Sequence, residues 1–434
     1  MNRRAILTLA LTVTLIAALP AAAGAHHHPP VAANPGVITA WNATAVSTIA
    51  GPAPNGAGKA NAEGFLYFAF VQAAVYNAVN GITREYELYK WHAWAPKGAS
   101  PEAAAAAAAH RVLLTYFGDT PTSGPTITAN LNAAFAASLA QIPDGRQKDQ
   151  GIRYGERAAD HIIQLRADDG RNDPSIVFNV PLAPGVWRPA PPANAPFLVP
   201  WLSHVEPLVL ESPSQFRPGP PPAINTTKYL DEFNEVRDYG VSTGSLRSPD
   251  QTQTALFFSD VGVTPYQAAL RDLVTRQGLD ISDSARLFAA VDTSLADALI
   301  AVWDGKFLYG WWRPITAIQE ADTDGNPNTA GVPGWTPLIP TPPYPDWPSG
   351  LSSVTGALST TLSRLNPNGQ VDLMITSTAA AETRHYLTAA AMQQDVINAR
   401  VWSGIHFRTA DEVGVATGIA VGNWTLDHYF APTK

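Results

Sequence analysis

A proline-rich segment, residues 171–224, divides this chain into two parts whose sequences have helical periodicity. Proline removes a backbone donor and clashes with the preceding helical turn, so long helices are excluded from this segment. The prolines concerned are Pro181, Pro184, Pro189, Pro191, Pro192, Pro196, Pro200 and those of Pro218-Gly219-Pro220-Pro221-Pro222. A flexible linker would be polar, whereas this one carries Phe178, Val186, Trp187, Phe197, Leu198 and Trp201. We therefore expect an ordered wrap over the neighbouring helices.

Helical patterns dominate both sides of the wrap. In residues 38–170, apolar side chains recur at helical spacing from Phe65 to Val79, and Pro101 starts an alanine-rich helix. Further helices are predicted at 127–139, 150–165, 227–239, 249–258, 265–277, 282–306, 350–365, 372–399 and 411–428. Strand-like alternation is scarce. The pattern predicts an all-α fold of packed helical bundles with long proline-rich loops, in one domain over 38–434 with a site-bearing half at 225–434.

Composition agrees with a large folded domain and excludes some partners. Of 434 residues, 46% are hydrophobic and 15% are charged, which supports a sizeable core. The formal net charge is −8, so a nucleic-acid partner receives no electrostatic support. Any anion site must therefore be a local basic pocket in an acidic protein.

The first 25 residues resemble an export signal. Arg3 and Arg4 precede an apolar run from Ala5 to Leu19, followed by small residues suited to cleavage. The run is short for a membrane span, so we expect a secreted or periplasmic protein without one. Residues 26–37 form a short tail, whose histidine triplet is more often merely exposed than metal-binding. Cysteine is absent, so the fold depends on its core without disulfides.

Two basic residues seven positions apart indicate an anion site. Lys306 and Arg313 would project from nearly the same face of one helix, which Pro314 would end or kink. Their surroundings, including Trp311 and Trp312, are too apolar for an ordinary solvated stripe. Arginine can bind an oxyanion through two N–H groups, and lysine supplies a point charge.

Two further segments supply complementary groups. Ser349 suits a helix N-cap and Gly350 lets an anion approach the free amides of the first turn, although a plain helix start has the same pattern. Arg400 and His406 lie six residues apart, and Gly404 allows a turn that brings them together. Histidine offers one nitrogen to an oxyanion centre, while the other needs a partner such as Asp411 or a backbone carbonyl.

Taken jointly, these motifs resemble the superfamily of type 2 phosphatidic acid phosphatases and vanadium-dependent haloperoxidases. Its signature is Lys-x6-Arg-Pro, then Pro-Ser-Gly-His, then Arg-x5-His with an aspartate soon after. The first and third parts match at Lys306-Arg313-Pro314 and at Arg400-His406. Several segments also resemble the secreted bacterial haloperoxidase branch: Ala296-Asp297-Ala298, Trp303, Pro343-Tyr344-Pro345, Gly404-Ile405-His406-Phe407-Arg408 and Phe216-Arg217-Pro218-Gly219-Pro220-Pro221.

The resemblance implies an all-α fold and a role for each residue. The oxygens of vanadate or phosphate would be held by Lys306, Arg313, Ser349, Gly350 and Arg400. His406 would bond the central atom, as the metal ligand of vanadate or as the nucleophile toward phosphate. Trp303 and Tyr344 would shape a halide pocket, and Asp297 would pair with a site arginine.

Leu351 departs from the signature, because the family has its acid–base histidine there. General acid–base catalysis is worth about two to four orders of magnitude in rate, and leucine cannot titrate. His385 or a water molecule could take its place. The aspartate after His406 is also displaced by one position, because Ala410 occupies its usual place and Asp411 follows.

Three functions remain open at this stage. The first is a haloperoxidase with vanadate as cofactor, which activates hydrogen peroxide to oxidise a halide. The second is an acid phosphatase that needs no cofactor, forms a phosphohistidine and hydrolyses phosphate esters. The third is a non-catalytic oxyanion binder, in which loss of the histidine at 351 marks loss of turnover.

Overall fold

The computed structural model describes residues 33–59 and 61–433. In these residues the chain forms α-helices and one antiparallel hairpin. The helices are α1 (Gly36–Ile49), α2 (Asn61–Thr83), α3 (Pro101–Phe117), α4 (Gly124–Ala140), α5 (Arg146–Leu165), α6 (Thr227–Gly240), α7 (Pro249–Phe257), α8 (Val263–Gln277), α9 (Ile281–Tyr309), α10 (Pro314–Gln319), α11 (Gly350–Leu365), α12 (Ala389–Trp402) and α13 (Arg408–His428). The predicted all-α class is confirmed. The predicted signal and tail, up to residue 32, lie outside the described residues.

The long helix α9 is the centre of the fold. It packs against α2, α11 and α13, and nearly all of its side chains are buried. A helix that is enclosed on all sides needs apolar side chains all round, which explains why residues Leu295 to Val302 are Ala, Leu, Ile and Val except for Asp297. Asp280 caps its first turn by accepting a hydrogen bond from the Asp283 N–H, and Gly310 ends it at φ 51°. This ending positions Lys306 in the last turn.

Helix α2 is long and apolar enough to cross a membrane. However, 94% of its apolar window is buried inside the protein, as in the core helix of a globular domain. Among the described residues it is the one helix with this property. For the described residues, this burial agrees with the expected lack of a membrane span.

The segment 171–224 is an ordered wrap without an α-helix, as predicted. Trp187, Phe197 and Trp201 are buried in the core. The Trp187 N–H donates to the Gly310 carbonyl at 2.7 Å, and the Leu198 N–H donates to the Pro343 carbonyl at 2.8 Å. The wrap is therefore attached to the end of α9 and to the loop that precedes α11.

Asp297 holds the end of the wrap and does not pair with a site arginine. Its carboxylate accepts the backbone N–H groups of Leu208, Val209 and Leu210 at 2.7–2.8 Å. The predicted pairing is wrong because the hydrogen-bond partners of this buried carboxylate are three backbone amides and not a site arginine. Asp297 and these three amides are 87 to 89 residues apart in the chain, so the local sequence does not reveal the contact.

The prediction of one helix over 372–399 is also wrong. Residues Leu373–Ser377 and Glu382–Tyr386 form an antiparallel hairpin, β1 and β2, before α12 begins. Side chains of β1 alternate between buried and less buried positions, which fits the strand period of two. Packing of β1 against α8 thus overrides the helical pattern.

Helices α11 and α13 approach closely through glycines. A Cβ atom at Gly418 would lie 2.0 Å from the Ser353 carbonyl oxygen, and one at Gly356 would lie 2.5 Å from that of Val415. Backbone atoms cannot move aside as a flexible side chain can, so any larger residue must separate the helices.

We expect Gly418→Ala to lower the free energy of unfolding by about 3 kcal/mol, the upper part of the range for overpacking. Urea denaturation followed by circular dichroism measures this change. Gly219→Ala is the control, because a Cβ atom there meets nothing within 4 Å. Equal stability of the two variants would show that the helix pair is not tightly packed.

A buried polar chain joins α1, α8 and α9. Arg271 donates to the Asn42 side-chain oxygen at 2.6 Å, Asn42 donates to Gln267 at 2.6 Å, and Gln267 donates to Asp292. The second carboxyl oxygen of Asp292 has no partner. Burial raises the pKa of Asp292 to about 8, opposed by the Gln267 hydrogen bond.

This shift predicts that stability falls as pH rises from about 4 to about 8. Folded Asp292 keeps a proton that the unfolded chain releases, so each pH unit costs up to about 1.4 kcal/mol. Asp292→Asn should equal wild type near pH 4, where Asp292 is protonated in both states, and exceed it in stability near pH 8, measured by urea denaturation. Asp160→Asn, on the exposed face of α5, controls for loss of one carboxylate. A constant difference between Asp292→Asn and wild type across this pH range would contradict the prediction.

Candidate oxyanion site

Lys306 and Arg313 reach the same buried site from different elements. Helix α9 ends at Tyr309, so Arg313 is not on it but at the N-cap of α10. The expectation that one helix face carries both is therefore wrong, because Gly310 turns the chain before Pro314 can. Both side chains are nevertheless fully buried.

Lys306 is held by backbone oxygens. Its Nζ donates to the carbonyls of Pro345 and Asp346 at 2.7 and 3.1 Å. Burial lowers the pKa of Lys306 well below its ordinary value, and the Arg313 charge lowers it further. Asp346 and Asp411 oppose this shift. A nearby anion would favour the charged ammonium.

Two nitrogens of the Arg313 guanidinium have hydrogen-bond partners, and the third has none. Its Nε donates to the Tyr344 carbonyl at 2.7 Å, and its Nη1 donates to the Ile405 carbonyl at 2.6 Å. The same Nη1 lies 3.0 Å from His406 Nε2. Its Nη2 is buried without a hydrogen-bond partner. The guanidinium is thus oriented with one free donor.

Ser349 and Gly350 form the start of α11, as predicted. Ser349 occupies the N-cap position, but its hydroxyl does not cap the helix. It donates to Ser352 Oγ at 3.1 Å, and Ser352 donates to Asp411 Oδ1 at 2.8 Å. The amides of the first turn therefore receive no side-chain acceptor from Ser349 and remain suited to an anion.

Arg400 and His406 come together across a turn, as the sequence predicts. Helix α12 ends at Trp402, and Gly404 adopts φ 81° next to the backbone of Gly240. Arg400 Nη1 donates to the Phe258 carbonyl at 3.4 Å, and its buried Nε has no partner. Burial chiefly lowers the pKa of His406, and the charges of Arg313, Lys306 and Arg400 lower it further.

Asp346 is the functional residue that the sequence argument missed. Its Oδ1 lies 2.8 Å from His406 Nδ1 and 3.8 Å from Arg313 Nη1. Both its carboxylate oxygens are buried and lack a well-aligned hydrogen bond. The signal was an acidic residue within the apolar stretch from Pro343 to Pro348, three positions before Ser349.

Asp411 is therefore not the orienting partner of His406. It lies in the site on α13, where it accepts from Ser352, and burial raises its pKa to about 7. The prediction failed because the turn at Gly404 directs the imidazole toward the loop before α11. Asp346 stands at that loop.

Charge balance favours a neutral imidazole at His406. Burial lowers the pKa of His406 well below its usual range, and Arg313, Lys306 and Arg400 lower it further. Burial raises the pKa of Asp346 well above its usual value, although Arg313 and Lys306 oppose this shift. When the imidazole proton is on Nδ1 beside Asp346, the lone pair of Nε2 can bond an electrophilic atom such as the central atom of an oxyanion.

Leu351, Trp303 and Tyr344 form an apolar side of the site. The Trp303 and Tyr344 rings are 4.9 Å apart, and the Tyr344 ring lies 5.1 Å from Lys306 Nζ and 4.9 Å from Arg313 Cζ. Leu351 is half-buried in the first turn of α11. These rings can exclude water from the cations.

His385 does not replace the missing histidine at 351. It lies on β2, its side chain is 45% exposed, and its Nε2 bonds to Asp372 at 2.7 Å. Among the described residues, no group of three or more His, Asp and Glu side chains could hold a metal ion.

The residues present fit a tetrahedral oxyanion. Three buried cations face two carboxylates, which leaves an excess positive charge. Two donors within this cluster, Arg313 Nη2 and Arg400 Nε, are buried without partners. Unpaired buried donors are costly, and an oxyanion such as vanadate or phosphate would satisfy them.

We expect Asp346→Asn to weaken vanadate binding by about 10- to 100-fold, the cost typical of losing an orienting group. Asparagine keeps the shape but no longer specifies which imidazole nitrogen carries the proton. Titration with orthovanadate measures the affinity, and ¹⁵N NMR of histidine-labelled protein reports the tautomer of His406. Asp411→Asn is the matched control, and a larger effect there would restore Asp411 as the orienting residue.

The fold and this site define a class: an all-α protein with a buried cationic site, lined by Lys306, Arg313 and Arg400, between its helices. Residues 286–433 match the family described as VCPO second helical-bundle domain. The vanadium chloroperoxidase of Curvularia inaequalis is 25% identical over an alignment of 293 residues, covering 55% of this chain. That alignment covers 48% of the relative, so the chain spans about half the length of the curated protein it matches.

Solved structures show the same fold. A bacterial vanadium-dependent iodoperoxidase superposes with a TM-score of 0.75 at 22% identity, covering 93% of this chain and 98% of that one. A bacterial vanadium-dependent chloroperoxidase in its holo form gives 0.66 at 16% identity, covering 85% and 91%. These matches are consistent with the superfamily of type 2 phosphatidic acid phosphatases and vanadium-dependent haloperoxidases, which the motifs of this chain resemble.

Proposed function

We propose that this chain is an exported enzyme of the vanadium haloperoxidase kind, which uses hydrogen peroxide to oxidise a halide. The observation that carries the proposal is the convergence of three buried cations on His406, with two guanidinium donors left unpaired. The names of the relatives support vanadate as the anion. The signal-like residues 1–25 support export.

Each site residue has a task that follows from its chemistry. Vanadate, when bound, supplies the Lewis-acid centre that activates peroxide. Lys306, Arg313 and Arg400 neutralise the charge of its oxygens, and the first-turn amides of α11 add donors. His406 presents Nε2 to the central atom, while Asp346 Oδ1, 2.8 Å from Nδ1, keeps the imidazole proton on Nδ1.

The apolar residues Trp303 and Tyr344 keep water from the halide. A weakly hydrated anion such as bromide or iodide can lie beside these rings and still receive the field of Lys306. Leu351 offers no proton, so water must carry the protons that peroxide needs. We therefore expect slow turnover of the wild-type enzyme.

A second function is favoured by the His406–Asp346 pair. A neutral imidazole whose other nitrogen faces a carboxylate is the arrangement of an activated nucleophile, as required for a phosphohistidine intermediate. Without an acid at 351, such a phosphatase should cleave aryl phosphates, which leave without protonation, much faster than alkyl phosphates.

The deciding experiment titrates the purified protein with orthovanadate and assays bromide oxidation with hydrogen peroxide. Saturable binding at micromolar vanadate with bromide oxidation supports the haloperoxidase. Hydrolysis of an aryl phosphate, inhibited by vanadate and without bromide oxidation, supports the phosphatase. Absence of vanadate binding at micromolar concentration contradicts both functions.

A further inference from the structure

Two serine hydroxyls connect the oxyanion site to a buried carboxyl group on α13. Ser349, at the start of α11, donates from Oγ to Ser352 Oγ at 3.1 Å, and Ser352 donates to Asp411 Oδ1 at 2.8 Å. All three side chains are fully buried, and Asp411 Oδ2 has no hydrogen-bond partner. The expected anion and Asp411 therefore lie at opposite ends of one short hydrogen-bonded chain.

The direction of this chain depends on the proton of Asp411. Each serine has a single O–H to donate. An ionised Asp411 only accepts, so both hydroxyls donate toward it and Ser349 is left with lone pairs for the anion. A protonated Asp411 can donate to Ser352, and Ser349 can then donate to the anion. A bare oxyanion oxygen requires this second arrangement, because two acceptors cannot form a hydrogen bond.

The charge of a bound anion acts in the same sense. Burial raises the pKa of Asp411 to about 7, although hydrogen bonds from the two serines and the charges of Arg400 and Arg408 oppose the rise. An anion nearby is a like charge, which raises the pKa of a carboxyl group further. Near pH 8 Asp411 is therefore mostly ionised in the empty site, and anion binding favours its protonation.

Other charged groups also surround Asp411. From the neighbouring elements, its carboxyl group is faced by Lys306 on α9, Arg313 at the start of α10, Asp346 before α11 and Arg400 on α12, and Arg408 faces it from α13 itself. Helix α6 contributes Glu232, which accepts from the Thr409 N–H, and α11 contributes the two uncharged serines. Asp411→Asn leaves all these groups in place, so its comparison with wild type isolates Asp411.

We propose that Asp411 is a positioning residue that acts through Ser352 and Ser349, so that the site binds its oxyanion together with one proton. This proton comes from solvent and lies either on Asp411 or on the anion oxygen next to Ser349. Only O–H bonds change in this step. This inference rests on the oxyanion binding that both proposed functions require.

The test is isothermal titration calorimetry with orthovanadate near pH 6 and near pH 8, each in two buffers of different ionisation enthalpy. Asparagine at 411 can donate to Ser352 as the neutral carboxyl group would. Wild type and Asp411→Asn should bind equally near pH 6. Near pH 8 the variant should bind about tenfold more tightly, because wild type must first protonate a group with a pKa of about 7. Wild type should then take up about one more proton per anion than the variant.

A double-mutant comparison tests whether the serines carry the effect. In a Ser352→Ala background, the gain from Asp411→Asn near pH 8 should fall below about threefold, because the chain to the anion is broken. Ser353→Ala is the matched control, because this neighbouring buried serine donates to the Gly350 carbonyl at 2.8 Å instead. The tenfold gain should persist in that background.

The outcomes separate this inference from the proposed functions. An affinity ratio that is the same at both pH values, without a difference in proton uptake, overturns the role of Asp411 even if vanadate confers bromide oxidation. A full gain in the Ser352→Ala background overturns the serine chain. Absence of vanadate binding overturns this inference together with both proposed functions.

Discussion

His406→Ala is expected to abolish vanadate-dependent bromide oxidation, with a loss of at least about 10³-fold in kcat/KM. The imidazole is the one group placed to bond the central atom of the anion, and alanine leaves nothing in its place. Steady-state bromide oxidation and a vanadate titration of each protein measure the loss.

His385→Ala is the matched control for this prediction. It removes an exposed histidine of β2 that contacts Asp372, so activity and vanadate affinity should stay within about twofold of wild type, as expected for a surface change. Circular dichroism checks that both variants fold. A His406→Ala protein that still oxidises bromide at the wild-type rate would show that the anion is held by the cations alone.

Leu351→His is expected to raise turnover by about 10²- to 10⁴-fold, the usual contribution of a positioned acid–base group. The side chain at 351 borders the same cavity as Arg400. It belongs to the first turn of α11, whose backbone N–H groups are proposed to bind the anion. An imidazole there could transfer the protons that water alone must carry in the wild type. The gain should appear in kcat more than in vanadate affinity, because the oxyanion donors are unchanged.

Leu351→Gln separates proton transfer from polarity. Glutamine can donate a hydrogen bond but cannot titrate, so it should give little of the gain. A bell-shaped pH profile that appears only in Leu351→His would identify the new histidine as the acid–base group. Equal rates for wild type and Leu351→His would show that proton transfer does not limit turnover in this protein.

The sequence by itself determined the class of fold and most of the oxyanion donors. Helical periodicity predicted the bundles, and proline content predicted the wrap, because both act through local backbone geometry. The spacing of Lys306, Arg313, Arg400 and His406 pointed to one anion, and all four are buried together. The departure at Leu351 was also visible in the sequence, because leucine lacks the titratable imidazole of the histidine that the motif has at this position.

Only the tertiary structure decided how these groups are oriented. Asp346 replaced Asp411 as the partner of His406, because the turn at Gly404 aims the imidazole toward the loop before α11. Asp297 proved to hold the wrap through three amides that are distant in sequence. Hydrogen-bond partners and cavity walls come from segments far apart in the chain, and periodicity reports only on neighbours within a few residues. The anion donors were therefore visible in the sequence, whereas the pairing of the imidazole and the cavity beside it required the fold.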